Sequence, residues 1–368
     1  MSKAKVATVA AILSLGTIVL GGAGAPAPAH AAARGEAVGA SRDGVPPGFK
    51  VTMSGLDNPR GLAMSRDGAI YVTEAGHGGD APCATMRGTT MCYGATGAVA
   101  RLKKYIVTRV ATGLPSYAPA GGNGATGPQR VCFDRVGRMF VTYGLGMNPA
   151  MRSTLGPGGA RSGYLMRITG KGIPYPVADI AAFEAANNPA GGPVDSNPYG
   201  LVCNGGAELV TDAGGNSLFR VVKRSLSLLA VFPSRPARST DSVPTSVVVG
   251  PGHAYYVGEL SGAPFGVGSA TVYRVVPGQP PQVYLTGFTT IIDMAFAADG
   301  SLYVLEHATG PVLSGAGALI RVSPNGTRTT VSDALNRPTA ILIGRHGAVY
   351  VTNNGTSNSG GELLRLVG

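Results

Sequence analysis

Ile70-Tyr71-Val72-Thr73-Glu74 is a short β-branched run closed by an acid, and the chain returns to that pattern five more times. The echoes are Phe140-Val141-Thr142-Tyr143, Leu209-Val210-Thr211-Asp212, Tyr256-Val257-Gly258-Glu259, Tyr303-Val304-Leu305-Glu306 and Tyr350-Val351-Thr352-Asn353. Each follows an apolar run and a tight polar turn, and each precedes a strand-like run carrying one arginine. A unit of that length and order matches one propeller blade. Six units predict an all-β, six-bladed β-propeller. A lone run, Phe49 to Ser54, precedes the first unit, while the last unit stops at its third strand, Glu362 to Val367. If the N-terminal strand supplies the missing outermost strand of the last blade, the ring closes with no open edge.

The connections are unequal. Links from the first to the second strand of each unit are short, as in Ser65-Arg66-Asp67-Gly68 and Ala298-Asp299-Gly300. Links from the second to the third are longer and Gly-rich, as in 75–97, 144–163 and 260–269. Alternating strand direction puts the short turns on one face and the long loops, with the starts of the first strands, on the other. Function concentrates on long loops held by a rigid scaffold, so the loop face is the expected site. One insertion reads as helix: 179–189 has a capping Asp179, good helix formers and a closing Pro189.

Lys3 and Lys5 precede the apolar run Val6 to Ala25, and Ala29-His30-Ala31 has the small-x-small form of a signal-peptidase site. The expected organisation is a signal peptide over 1–31, a flexible segment over 32–47 and one propeller domain over 48–368. The protein is then secreted, periplasmic or extracellular, with no membrane span after cleavage, and monomeric. Without the leader, 28 basic residues face 19 acidic ones, a net +9, which favours anionic partners. Six of the arginines (101, 167, 220, 274, 321 and 365) recur one per unit in third strands. They are expected to be structural, pairing with carboxylates or carbonyls of neighbouring blades. No basic patch interleaved with stacking aromatics argues for nucleic acid. Four cysteines in an exported chain suggest disulfides. Cys83 and Cys92 share one loop, and Cys132 and Cys203 lie in first strands of consecutive units, either bonded near the ring's centre or buried as thiols.

Several phrases resemble the ScyD/ScyE family of exported propeller-like proteins. They are Gly55-Leu56-Asp57-Asn58-Pro59-Arg60-Gly61-Leu62, the helical insertion with Asp195-Ser196-Asn197-Pro198-Tyr199-Gly200, and Thr211-Asp212-Ala213-Gly214-Gly215-Asn216. Tyr256-Val257-Gly258-Glu259-Leu260 through Phe265 and Gly287-Phe288-Thr289 through Asp293 extend the likeness over nearly the whole mature chain. Strand phrases such as Asp299-Gly300-Ser301-Leu302-Tyr303-Val304 are shared with NHL and YWTD-like repeats generally. The resemblance implies an exported propeller and carries no catalytic residues with it.

The ends of the second strands bring Glu74, Tyr143, Asp212, Glu259, Glu306 and Asn353 to equivalent positions. Four acids in a ring need compensating cations, because like charges raise one another's pKa. A calcium ion or cationic ligand would supply them, with Asp293, Glu259 and Glu306 as candidate metal ligands. Pairing with Arg60, Arg130 and the third-strand arginines is the structural alternative. Six-bladed calcium-dependent lactonases and esterases use acids and amides at first-strand starts. Here those starts supply Arg60, Gln129 or Arg130, Tyr199, Thr245, Asp293 and Thr339. An arginine there repels a metal, which weakens a hydrolase assignment. His77, His253, His307 and His346 give an incomplete zinc set, and no nucleophile elbow is present. The favoured expectation is a non-catalytic ligand-binding or scaffold protein that uses Arg60, Arg130, Tyr143, Tyr199 and the carboxylate ring. A metal-assisted hydrolase or lyase centred on Asp293, Glu74, Glu259 and Glu306 is the alternative.

Overall fold

The computed structural model describes residues 44–232 and 240–367. The expected leader and most of the segment after it lie outside the described residues.

Six antiparallel sheets follow one another around a ring. The innermost strands are Pro59–Met64, Pro128–Phe133, Pro198–Asn204, Pro244–Val249, Ile291–Phe296 and Ile341–Ile343. In the last blade Ile341–Ile343, Val349–Asn353 and Gly361–Leu366 are completed by Phe49–Leu56, which pairs antiparallel with Gly361–Leu366 in the register Phe49 to Leu366. The closure expected from the chain ends is therefore present.

Apolar residues from facing sheets meet between blades. Val99 and Leu114 of blade one pack with Val131, Val141 and Met166 of blade two, all nearly or fully buried. Phe140 and Leu165 of blade two meet Val210 and Phe219 of blade three in the same way. Each such side chain contributes about 1.5–3 kcal/mol on burial, so stability resides in blade-to-blade contacts. The threonine of the recurring phrase joins the same surfaces. Thr142 Oγ1 accepts from Arg130 N at 3.0 Å and donates to Tyr199 O of the next blade at 2.8 Å. Thr73 makes the equivalent pair with Gly61 N and Gln129 O. That approach needs glycine at 61, where an added Cβ would stand 2.4 Å from Gln129 O.

Two disulfides are formed. Cys83–Cys92 clips a hairpin in the long loop of blade one, and Cys132–Cys203 ties the innermost strands of blades two and three. The insertion folds as the helix Ile180–Asn187, with Asp179 as N-cap accepting from Ala182 N and Asn188 left-handed at its end. Blade one exceeds the repeat: its third and fourth strands, Thr89–Lys103 and Ile106–Ala118, run far beyond the others.

Candidate functional site

Five of the six innermost strands begin with a register shift. In blade one Pro59 faces Glu74 and Gly61 faces Thr73, leaving Arg60 between them. Gln129 and Arg130, Tyr199 and Gly200, Thr245, and Ile292 occupy the same place in blades two to five. A bulge bends the strand and re-aims its side chains, and here it brings a cation, an aromatic ring and an acid together at the axis.

Their centre is an ion pair across the ring. Arg130 Nη1 of blade two donates to Asp293 Oδ2 of blade five at 2.7 Å, and Arg130 Nη2 donates to Ile292 O at 2.8 Å. Asp293 also accepts from Ser246 Oγ, Met294 N and Ile341 N at 2.8–2.9 Å, so blades four, five and six all meet at its carboxylate. The Arg130 guanidinium lies over the Tyr199 ring, 5.4 Å from its centroid. Burial pushes the Asp293 carboxyl up, opposed by the Arg130 charge and three hydrogen bonds. Burial likewise raises the Tyr199 phenol and lowers the Arg60 guanidinium. Arg60 donates to Gly355 O and to Ala125 O, holding loops of blades six and one over the axis.

On one side of this pair is a cavity of about 310 Å³. Its walls are stretches of the innermost strands, including Leu62–Met64, Val131–Phe133, Leu201–Cys203 and Met294, together with Arg130, Asp293 and Ser246, and they present polar and apolar surface in nearly equal measure. Those stretches are the halves of the strands that run into the short turns, so the cavity belongs to the turn face.

All ten residues singled out on the loop face (Arg60, Glu74, Arg130, Tyr143, Tyr199, Asp212, Glu259, Asp293, Glu306 and Asn353) are buried. Arg130 and Asp293 are the two of them that line the cavity. The acids do not converge. Glu74 accepts from Asp57 N, Asp212 from Asn197 N, Glu306 from Thr289 N and Asn353 from Asn336 N, at 2.5–2.9 Å. Glu259 accepts from Ser242 Oγ at 2.7 Å. These oxygens thus fasten the segment that leads into each blade, through a backbone N–H in four blades and through the Ser242 hydroxyl in the other. Burial raises Glu306 and Asp212, each partly offset by these bonds. Tyr143 holds the same position in blade two, where burial raises its phenol.

The expected cation partners differ from those observed. Glu74 pairs with Arg109 of its own blade, in two hydrogen bonds of 2.8–2.9 Å, instead of with Arg60. Three of the third-strand arginines find partners within their own blades: Arg321 pairs with Asp299, and Arg167 and Arg365 lie over Tyr175 and Tyr350. The reason is register. Arg101 sits opposite Tyr71, whereas the acid Glu74 sits opposite Ala98, three residues further along the strand.

Calcium at the axis does not fit these residues, because the Arg130 guanidinium already occupies the Asp293 carboxylate and brings a positive charge to the position a metal would take. Among the described residues no group of three or more His, Cys, Asp or Glu side chains is placed to hold a metal ion. His77 contacts Asp57 at 3.2 Å, while His307 is buried against Pro338 O and lowered to about 4, mainly by burial. His253 and His346 lie in turns of the opposite face.

No protein-family model matches the chain, and no curated protein matches it. Solved structures do. A calcium-binding regucalcin from Agrobacterium tumefaciens aligns with a TM-score of 0.52 at 12% identity, over 87% of this chain and 93% of that one. A putative gluconolactonase aligns at 0.51 and 11% identity, over 86% and 90%. Virginiamycin B lyase from Staphylococcus aureus aligns at 0.48 and 17% identity, over 86% and 88%. At such identities the first two establish the fold alone. This chain is a six-bladed β-propeller.

The sequence reading missed the cavity and the threonine stitches. The threonines were visible as Thr73, Thr142, Thr211 and Thr352 at one repeat position. The cavity had no comparable signal, because its walls are ordinary strand residues.

Proposed function

We propose that the protein is an exported, non-catalytic member of the ScyD/ScyE family whose axial cavity binds a small ligand of mixed polar and apolar character. The observation that supports this reading is the cavity of about 310 Å³, whose lining is polar and apolar in nearly equal measure and includes the Arg130–Asp293 pair. Ligand sites typically begin near that size and combine apolar walls with a few placed polar groups. Export accords with the two disulfides, which persist in oxidising compartments. No helix among the described residues is long and apolar enough to cross a membrane. A calcium-assisted hydrolase is the weaker reading, since the residues at the axis do not suit the metal.

The test is 1-anilinonaphthalene-8-sulfonate, an aromatic anion. Its fluorescence should rise with native protein and fall back in Val131→Trp, which narrows the cavity, provided a circular dichroism melt shows that the variant is folded. No rise, or a rise that Val131→Trp leaves intact, contradicts cavity binding. A rise in Tm on adding calcium would favour the hydrolase reading instead.

A further inference from the structure

The cations of this chain are not spread evenly over the ring. In each antiparallel blade the first-to-second and third-to-fourth links leave from the same end, so both sets of tight turns lie on the turn face. Blade one places exposed Arg66, Lys103 and Lys104 there, and blade two places Arg135, Arg138 and Lys171. Lys223 and Arg224 of blade three and Arg345 of blade six are also exposed in such turns. Blades six, one, two and three are consecutive around the ring, so these side chains form one arc. Two acids lie in the same turns, and each is already paired: Asp67 with Lys103 and Asp134 with Arg138. Lys104, Arg135, Lys171, Lys223 and Arg224 have no ion-pair partner among the described residues, so the arc carries a net positive charge.

Apolar tips stand in the middle of that arc. Tyr105 is 82% exposed and Ile106 63%, at the end of the long third-to-fourth hairpin of blade one. Val136 is 74% and Ile173 48% exposed, in the two turns of blade two. Exposing such side chains at four turn positions leaves apolar surface in water, while burying them in the acyl boundary of a bilayer removes it. Lysines and arginines around them would meet anionic headgroups, whose attraction for basic segments is confined to within a Debye length of the surface. A soluble polyanion would use the cations and leave these tips in water.

We infer that the turn face over blades one and two docks on an anionic lipid surface, with Tyr105, Ile106, Val136 and Ile173 entering the interface and the cationic arc holding the headgroups. This inference does not depend on what the axial cavity binds.

The experiment is sedimentation with vesicles of phosphatidylcholine alone or with 30% phosphatidylglycerol. Protein beginning at Ala32 is compared with the full chain, so that the Val6–Ala25 run is not mistaken for the docking face. Binding to the anionic vesicles should exceed that to neutral ones by about tenfold or more and weaken with added salt. Lys104→Glu/Arg135→Glu/Lys171→Glu should lower it about tenfold, and Tyr105→Ser/Ile106→Ser about threefold with the cations intact. Arg161→Glu, on the loop face, should leave it unchanged, and Val131→Trp should bind vesicles as the parent does. Circular dichroism melts show that each variant is folded. Equal binding to neutral vesicles, or a triple-variant loss no greater than that of Arg161→Glu, overturns the inference. So does soluble polyphosphate binding with undiminished vesicle binding in Tyr105→Ser/Ile106→Ser, which would assign the arc to polyanions.

Discussion

The loop face and the turn face of this ring divide its labour in the opposite sense to their chain lengths. The loop face has the long glycine-rich connections and most of the buried acids, yet those acids are engaged in fastening strands and the loops are tied over the axis. Asn58 shows how: its side chain donates to Gly76 O and Gly122 O and accepts from Gly124 N. The turn face has short hairpins, but it carries the cavity and the cationic arc with apolar tips standing inside it. Loop length is therefore a poor guide when a long loop is used to close a channel. The better guide is which polar groups have already found partners.

The largest effect on this division should come from the ion pair that separates the two faces. Asp293→Ala leaves Arg130 buried without its carboxylate and should cost about 3–5 kcal/mol in urea unfolding. Arg130→Met/Asp293→Leu should cost much less than the two single changes together, because neither charge is then stranded. Equal and additive losses would show that the pair is not a unit.

Disulfide removal should also separate the regions. In the chain-entropy account Cys132–Cys203, spanning 71 residues, contributes about 4 kcal/mol, and Cys83–Cys92, spanning 9, about 2.5 kcal/mol. Replacing each pair by alanine and measuring unfolding checks the order, and a larger loss at the loop-face hairpin would reverse it.

A third expectation concerns pH. Glu184 on the loop-face helix is 1% exposed, and burial, with the Asp212 charge behind it, pushes its carboxyl up to about 7 from an ordinary 4.5. Between those values the folded state holds a proton that the unfolded state releases, so this group's stabilisation is lost as pH rises through the window. Glu184→Gln should remove that slope and stabilise the protein at pH 8 by on the order of 2 kcal/mol. His307 acts with the opposite sign: its lowered pKa of about 4 means that stability is lost as pH falls from about 6.5. Melting curves of the parent, Glu184→Gln and His307→Gln across pH 4 to 8 resolve both slopes.

The smallest effect tests whether the strand-end acids act as charges or as acceptors. Asn353 does with an amide oxygen what Glu306 does with a carboxylate. Glu306→Gln should therefore cost below about 1 kcal/mol, whereas Glu306→Leu leaves Thr289 N without its acceptor and should cost about 1–3 kcal/mol. A large loss in Glu306→Gln would mean that charge matters there.

The ring, its closure by Phe49–Leu56 and the helix after Asp179 were legible because each is a local or periodic pattern. The alignment of Glu74, Asp212, Glu259 and Glu306 was legible for the same reason. Their lack of convergence was not, since it depends on the donors that each acid meets at the entry to its blade, and the aim of Arg60, Arg130 and Tyr199 depends on a bulge that leaves no trace in strand alternation. The cationic arc was hidden differently. Each turn contributes one or two cations, so Lys104, Arg135, Lys171, Arg224 and Arg345 become one surface when the ring brings four blades side by side.

The claim that the turn face is the working face is tested most directly by hydrogen–deuterium exchange of the protein with and without phosphatidylglycerol vesicles. Slowed exchange is expected in 64–70, 103–107, 133–139 and 169–173, with 144–163 and 260–269 unchanged. Protection confined to those loop-face segments would contradict the account.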